Sequence, residues 1–287
     1  MKILLLGYKG MLGSDLVAQF QFRHEVIGMD MGDIDITSAG ECQKAVRETE
    51  PQIVVNAAGY TDVDACETAQ EECFAVNAEA VKNIAEACRG KNITIVHFST
   101  DYVFDGTGSR PYLEEDICNP INVYGASKLA GENHLRTITD NYILIRTAWL
   151  YGAKGKNFVQ AILDRAKATG KLTVVDDQTG SPTCTRDLAA ATELLIDKNA
   201  RGLYHVTNRG NCTWHEFAKK ILKEARLNTV EISPIKTTDL QRAALRPAYS
   251  VLGMQKFIAA TGKTMQPWQL AFQDYYQHLT SRTCCSA

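Results

Sequence analysis

Short apolar runs alternate with stretches of helical period through residues 1–149. The runs at 3–6, 25–29, 53–56, 93–98 and 142–146 are unbroken and too short for helices, which is the pattern of strands buried on both faces. Between them, 11–22, 38–48, 71–90 and the stretch carrying Tyr124 space their apolar residues as helices do. The 38–48 stretch turns Cys42, Ala45 and Val46 inward, and Pro51 ends it. The 71–90 stretch puts Phe74, Val76, Val81, Ile84, Ala85 and Cys88 on one face. Strand and helix in strict alternation predict an α/β fold with a doubly wound parallel sheet.

After Trp149 the rhythm changes. Helical patterns fall at 157–169, 185–197, 214–225 and 268–279, and short strands at 172–175 and 202–206, the latter able to rejoin the sheet. Thr213 stands where a hydroxyl caps the third of these helices. No repeat and no low-complexity linker separates the halves. The expected organisation is a nucleotide-binding domain from 1–149 plus 184–210, with a smaller C-terminal α/β substrate lobe from 150–183 plus 211–287.

Composition narrows the partners. The 287 residues are 45% hydrophobic and 22% charged, with a formal net charge of −2. That balance suits a soluble globular protein and gives no reason to expect nucleic acid or a membrane surface. No apolar run reaches the about 20 residues of a membrane span, and the opening reads as a strand rather than a signal peptide. The nine cysteines form no CxxC pair and the six histidines no HxxxH pair, so no metal is expected and reduced cytoplasmic thiols are. Cys284 and Cys285 close a polar tail expected to fray.

The turn between the first strand and helix reads GYKGMLG, with Gly7, Gly10 and Gly13 in a GxxGxxG spacing. Glycines there serve either a plain tight turn or the approach of backbone amides to a pyrophosphate at a helix N-terminus. Asp30 ends the next strand, 17 residues after Gly13, where a carboxylate can accept from an adenosine ribose. Those positions fit a Rossmann-type domain binding NADH or NADPH; Asp30 favours NADH, whereas Lys9 can meet a 2′-phosphate. Asp35 and Ile36 can hold an adenine, and Asn56-Ala57-Ala58-Gly59 lets backbone lie against the cofactor.

STDYVFDG follows the fourth strand and YGASK opens a helix, four residues separating Tyr124 from Lys128 on one face. An ammonium beside a phenol lowers its ordinary pKa of about 10. Thr100 at the strand end can position a carbonyl oxygen against Tyr124. With a dinucleotide loop upstream, Thr100, Tyr124 and Lys128 form a catalytic set for hydride transfer to a ketone, Tyr124 as general acid and Lys128 also on the cofactor ribose.

With GYKGMLG, DIDIT, VNAAGYTDVDACE, FSTDYVFDG, YGASK, RTAWLYG, DDQTGSPT and RPAYSVL, the sequence resembles the dTDP-4-dehydrorhamnose reductase family of extended short-chain dehydrogenases/reductases. The motifs span residues 7–252. The resemblance implies reduction of the 4-keto group of dTDP-4-dehydro-L-rhamnose. It implies Gly10, Met11, Leu12, Asp30, Asp35, Ile36, Ala58, Gly59 and Tyr60 at the cofactor. It puts Thr100, Asp101 and Trp149 on the sugar nucleotide, and Val103 and Phe104 near the sugar. Gly59 and Ala248-Tyr249 depart from the family's usual residues, the latter in the substrate lobe.

Trp149 can pack on a sugar or fill the gap between lobes. Arg246 is a candidate for the diphosphate, with a surface salt bridge as the competing role. Gln178 and Thr183 read as loop anchors, and Trp214 and Trp268 as core or staple residues. A 4-epimerase or another sugar-nucleotide dehydrogenase would use the same tyrosine and lysine. A non-catalytic regulatory subunit, like the beta subunit of methionine adenosyltransferase, would share the fold. A homodimer is compatible with these features and not decided by them.

Overall fold

A computed structural model describes residues 1–284. Strands β1 (Lys2–Leu6), β2 (Glu25–Met29), β3 (Ile53–Asn56), β4 (Thr94–Thr100) and β5 (Tyr142–Thr147) join Gly202–His205 in one sheet. Its order is Gly202–His205, β5, β4, β3, β1, β2, and every pair is parallel. The winding reverses between β1 and β3, whose last residues Leu6 and Asn56 stand in register. In such sheets ligands bind beyond the strand carboxyl ends at that reversal.

Alternate residues of β1 feed two cores, as a strand of period two requires. Ile3 and Leu5 pack with Leu16, Phe20, Leu188 and Leu195 under the helices Met11–Phe20 and Thr185–Asp197. Leu4 and Leu6 pack with Val46, Ile84, Ala85 and Leu135 on the opposite face. A third core joins Tyr151, Leu163, Phe217, Ile221 and Phe272, from the helices Phe158–Thr169, Trp214–Glu224 and Trp268–Cys284. Thr213 caps Trp214–Glu224 in a full capping box with Glu216.

Four stretches differ from the sequence expectation. The single helix expected over 71–90 is Gln70–Phe74, a π-helical turn Ala75–Glu79 and Ala80–Cys88. The wider turn rotates the face: Asn77 is buried, Phe74 is exposed and Val76 half-buried. The helices Val63–Thr68 and Gln255–Thr261 are too short to show periodicity, and Phe257 of the second packs into the first core. The last helix continues past residue 279 to Cys284, so that residue is helical where fraying was expected; Cys285 lies outside the described residues. Cys42, Cys66, Cys73, Cys88, Cys118, Cys184 and Cys212 are all free thiols.

Candidate active site

Gly7 follows β1 with φ 79°, and a Cβ there would lie 2.7 Å from the amide nitrogen of Ala58. A Cβ on Gly13 would strike the carbonyl of Gly7, so both positions require glycine for the turn and helix to pack this closely. Gly10 caps Met11–Phe20 with extended backbone, and no acidic residue occupies the first turn. The bare positive end of that helix therefore opens into a cavity of about 600 Å³. Gly7, Gly10, Asp30, Asp35, Ile36, Ala57, Ala58 and Gly59 line it.

The Asp30 carboxylate accepts from the amides of Lys9 and Met31, both at 2.8 Å, which fixes it at the cavity wall. Lys9 reaches Asp33 at 3.6 Å. Asp35 accepts from the Thr37 hydroxyl at 2.7 Å and the Thr37 amide at 2.9 Å, which hold its carboxyl below the ordinary range. Asn56, Tyr60 and Gly13 line neither this cavity nor the next. Asn56 is buried and acts on the loop instead, accepting from the Ala58 amide at 3.1 Å and meeting His97 at 3.3 Å. Tyr60 is held by the Asn77 side chain, which accepts from its amide and donates to its carbonyl, each at 2.9 Å.

A second cavity of about 460 Å³ continues from the first, sharing Gly10, Ala57, Ala58 and Gly59 and adding Met11 and Leu12. Thr100, Asp101, Tyr124, Lys128 and Trp149 line it, together with Tyr102, Lys156 and Trp214. Asn122 caps the helix Val123–Ile138 by accepting from the Gly125 amide at 2.7 Å. A Cβ on Gly125 would collide with the Tyr102 carbonyl, so the helix start lies directly on the loop after β4. That closeness brings Tyr124 to Thr100, whose hydroxyl hydrogen-bonds it, and sets the Tyr102 ring edge-on at 5.9 Å.

Burial dominates the charges. It pushes Tyr124 well above the ordinary phenol range, against the opposing hydrogen bond from Thr100. The lowering expected from Lys128 is not seen, and the phenol remains a proton carrier at neutral pH. Lys128 is buried and pushed down to about 8, with Glu132 and Cys73 opposing. Asp101 is buried and pushed up to about 7, opposed by hydrogen bonds from Ser250 and Thr100.

Three expected substrate contacts do not reach the cleft. Val103 and Phe104 are fully buried with Tyr112 and Leu252, and Phe104 stacks on Tyr112 at 4.2 Å. They form a floor beneath the loop rather than a surface for a sugar. Arg246 grips Asp64 through two nitrogens at 2.6 and 2.8 Å and is absent from the lining, so the ion-pair role displaces the diphosphate role. Trp149 does line the cleft, at φ 48°, with its ring stacked 3.5 Å from that of Trp214. Trp214, expected as a core or staple residue, packs against the third core and also lines the cleft, and its indole nitrogen donates to Gln178 at 3.1 Å. Gln178 and the buried Thr183 sit in loop anchoring, as expected. Lys156 and Asn77 were not anticipated, because a lone lysine or asparagine carries no pattern.

The family described as RmlD substrate binding domain matches residues 1–281. The chain belongs to this family. A dTDP-4-dehydrorhamnose reductase of Streptomyces griseus is 36% identical over 97% of this chain and 94% of its own. A dTDP-4-keto-6-deoxy-D-glucose reductase of Streptomyces niveus is 35% identical over 97% of each. The crystal structure of a Bacillus anthracis dTDP-4-dehydrorhamnose reductase in complex with NADP superposes with a TM-score of 0.94 at 34% identity, covering 96% of this chain and 99% of that one. As an RmlD-family protein, this chain has the Rossmann-type fold expected of it, with a phenol, a hydroxyl and an ammonium beside a glycine-lined cavity. Such a set can pass a proton to a carbonyl oxygen next to a hydride donor.

Proposed function

We propose that this protein is an NAD(P)H-dependent reductase of the 4-keto group of dTDP-4-dehydro-L-rhamnose, yielding dTDP-L-rhamnose. The observation carrying the reading is that Thr100, Tyr124 and Lys128 line one cleft continuous with the glycine-loop cavity. Relatives of that activity match over nearly the whole length. Cytoplasmic placement suits the seven free thiols.

The glycine loop fits a dinucleotide: Gly7 and Gly13 let the turn pack closely on Ala58 and on the helix, Gly10 lies on the wall of both cavities, and the bare helix end accepts a pyrophosphate. When bound, NADH or NADPH supplies the hydride. Asp30 would hold the adenosine ribose, Gly10, Met11 and Leu12 the pyrophosphate, and Lys128 the nicotinamide ribose. Thr100 donates to the substrate carbonyl oxygen and orients it towards Tyr124. Tyr124 gives its proton to that oxygen, and the Lys128 ammonium stabilises the phenolate left behind. Asp101 and Trp149 hold the sugar nucleotide.

The test follows loss of reduced-nicotinamide absorbance with dTDP-4-dehydro-L-rhamnose. Turnover is expected; no oxidation with either cofactor overturns the reading and favours a regulatory subunit. Tyr124→Phe should retain cofactor binding while turnover drops at least about 100-fold. Full turnover in that variant would mean another group delivers the proton.

A second reading keeps the chemistry and changes the sugar. The Streptomyces niveus relative and Ala248-Tyr249 favour it, because Tyr249 pairs with Thr179 in the substrate lobe. Comparison of the product with dTDP-L-rhamnose by chromatography separates the two.

A further inference from the structure

A cation strengthens the hold on a diphosphate in the cleft, and the arginine expected to supply one is committed to Asp64. Two residues lining the second cavity carry positive charge, Lys128 and Lys156, and the first cavity has none. Lys128 is buried at the catalytic end beside Thr100 and Tyr124. Lys156 is exposed, shares the wall with Trp149 and Trp214, and has no ion-pair or hydrogen-bond partner among the described residues.

The loop presenting it is held at both ends. Asn157 donates to the carbonyls of Gly152 at 3.0 Å and Gly155 at 3.4 Å, and accepts from the Gln160 amide at 3.2 Å. The Tyr275 hydroxyl donates to the same Gly152 carbonyl at 3.0 Å. A Cβ on Gly155 would touch the Cβ of Met11 at 3.6 Å, which places the loop over the mouth of the cleft. The helix Phe158–Thr169 begins two residues after Lys156 with no acidic residue in its first turn, so its positive end adds to the lysine's field.

We propose that Lys156 is the cation that binds the diphosphate of the sugar nucleotide, a specificity residue that holds substrate and takes no part in proton transfer. This rests on the reading of the cleft as a dTDP-sugar site. The cofactor pyrophosphate has the same chemistry but its own donors, the amides at the start of Met11–Phe20, and the adenosine-side cavity lacks Lys156. The lysine serves the nucleotide on the Trp149 side.

The experiment compares wild type, Lys156→Gln, Lys156→Arg and Lys154→Gln, the last a control on the same loop outside the cleft lining. Steady-state kinetics give KM and kcat for the sugar nucleotide, and fluorescence titration gives Kd for dTDP alone and for NADPH. Lys156→Gln should raise the sugar-nucleotide KM and the dTDP Kd at least about ten-fold through loss of a charge-assisted contact, leaving kcat and NADPH affinity unchanged. Lys156→Arg should restore most of the affinity, and Lys154→Gln should match wild type. Unchanged dTDP affinity in Lys156→Gln overturns the assignment while wild-type turnover leaves the functional reading intact. Weakened NADPH binding instead moves the lysine to the cofactor and overturns it as well. A wild-type protein that neither reduces the substrate nor binds dTDP sinks the functional reading and this one together.

Discussion

Replacing Arg246 by methionine separates the two roles open to it, because one acts on substrate affinity and the other on stability. Arg246 Nη1 and Nη2 donate to Asp64 at 2.6 and 2.8 Å, and Nη1 also donates to the Ala244 carbonyl at 2.7 Å. The Arg246 side chain is 15% exposed and that of Asp64 28%, so solvent screens the pair only in part. Arg242 at 3.0 Å and the Ala244 amide at 3.1 Å remain on Asp64 after the change. The carboxylate is therefore not orphaned, and the loss stays below the about 3–5 kcal/mol of a fully buried broken pair. Charge-assisted bonds in this setting predict about 2–3 kcal/mol. With the usual unfolding entropy per residue, a chain of this length should melt about 4 °C lower.

The pH dependence gives a second reading of the same pair. Hydrogen bonds from Arg246 hold Asp64 well below the ordinary carboxylate range. Between the unfolded pKa of about 3.9 and the lower folded value, the unfolded chain binds more protons, so stability rises with pH. The contribution is complete above the unfolded value and disappears as pH falls through the folded one. Melting curves should show the gap between wild type and Arg246→Met constant from pH 8 to pH 5, then closing in strong acid. The KM for the sugar nucleotide should not move. A large KM increase without a change in melting temperature would refute the ion-pair role and return Arg246 to the diphosphate.

Three further perturbations test the site and its supports. Lys128 is pushed down to about 8 by burial, so its ammonium is present below that pH and lost above it. The log of kcat/KM should fall as pH rises through about 8, and Lys128→Arg should remove that alkaline limb, since guanidinium stays charged. Gly13→Ala drives a methyl into the Gly7 carbonyl and should abolish cofactor binding in a fluorescence titration, with about 1–3 kcal/mol of destabilisation. Glu132→Ala strips a buried Arg146 of partners at 2.9 and 2.6 Å and should cost about 3–5 kcal/mol in urea unfolding. Adding Arg146→Met to Glu132→Leu should recover most of that loss.

The sheet was legible because buried parallel strands need short, mostly apolar runs, which β1, β3, β4 and β5 have and which the edge strand β2 approximates. The grouping of Thr100, Tyr124 and Lys128 on one cleft was legible because a strand end and one helical turn bring them together with little help from elsewhere. The π-helical turn was not, since one widened turn leaves composition unchanged while exchanging Phe74 for Asn77 at the buried face. The place of Trp214 on the cleft wall and the ion pair of Arg246 were not legible for a related reason. Each has a role set by a partner far along the chain, Trp149 or Asp64, and no local spacing encodes a pair of that kind.

Three of the segments that carry the family resemblance, STDYVFDG, DDQTGSPT and RPAYSVL, meet in one place. Gly106, at the end of STDYVFDG, takes φ 82° and lies where a Cβ would strike Pro247 of RPAYSVL. The Thr179 amide of DDQTGSPT donates to the Ala248 carbonyl at 2.8 Å, and the Ser250 amide donates to that of Thr179 at 2.9 Å. Ser250 in turn hydrogen-bonds Asp101, beside the catalytic Thr100. Three distant loops thus close into a knot whose one polar product is the placement of a buried carboxylate at the cleft. The proposed proton transfer draws on the helix and the strand end, and the proposed sugar recognition on the knot that places Asp101. Exchanging Ala248-Tyr249 should therefore shift the KM for the sugar nucleotide and leave cofactor affinity alone, whereas a change confined to cofactor binding would break the link between the knot and the substrate.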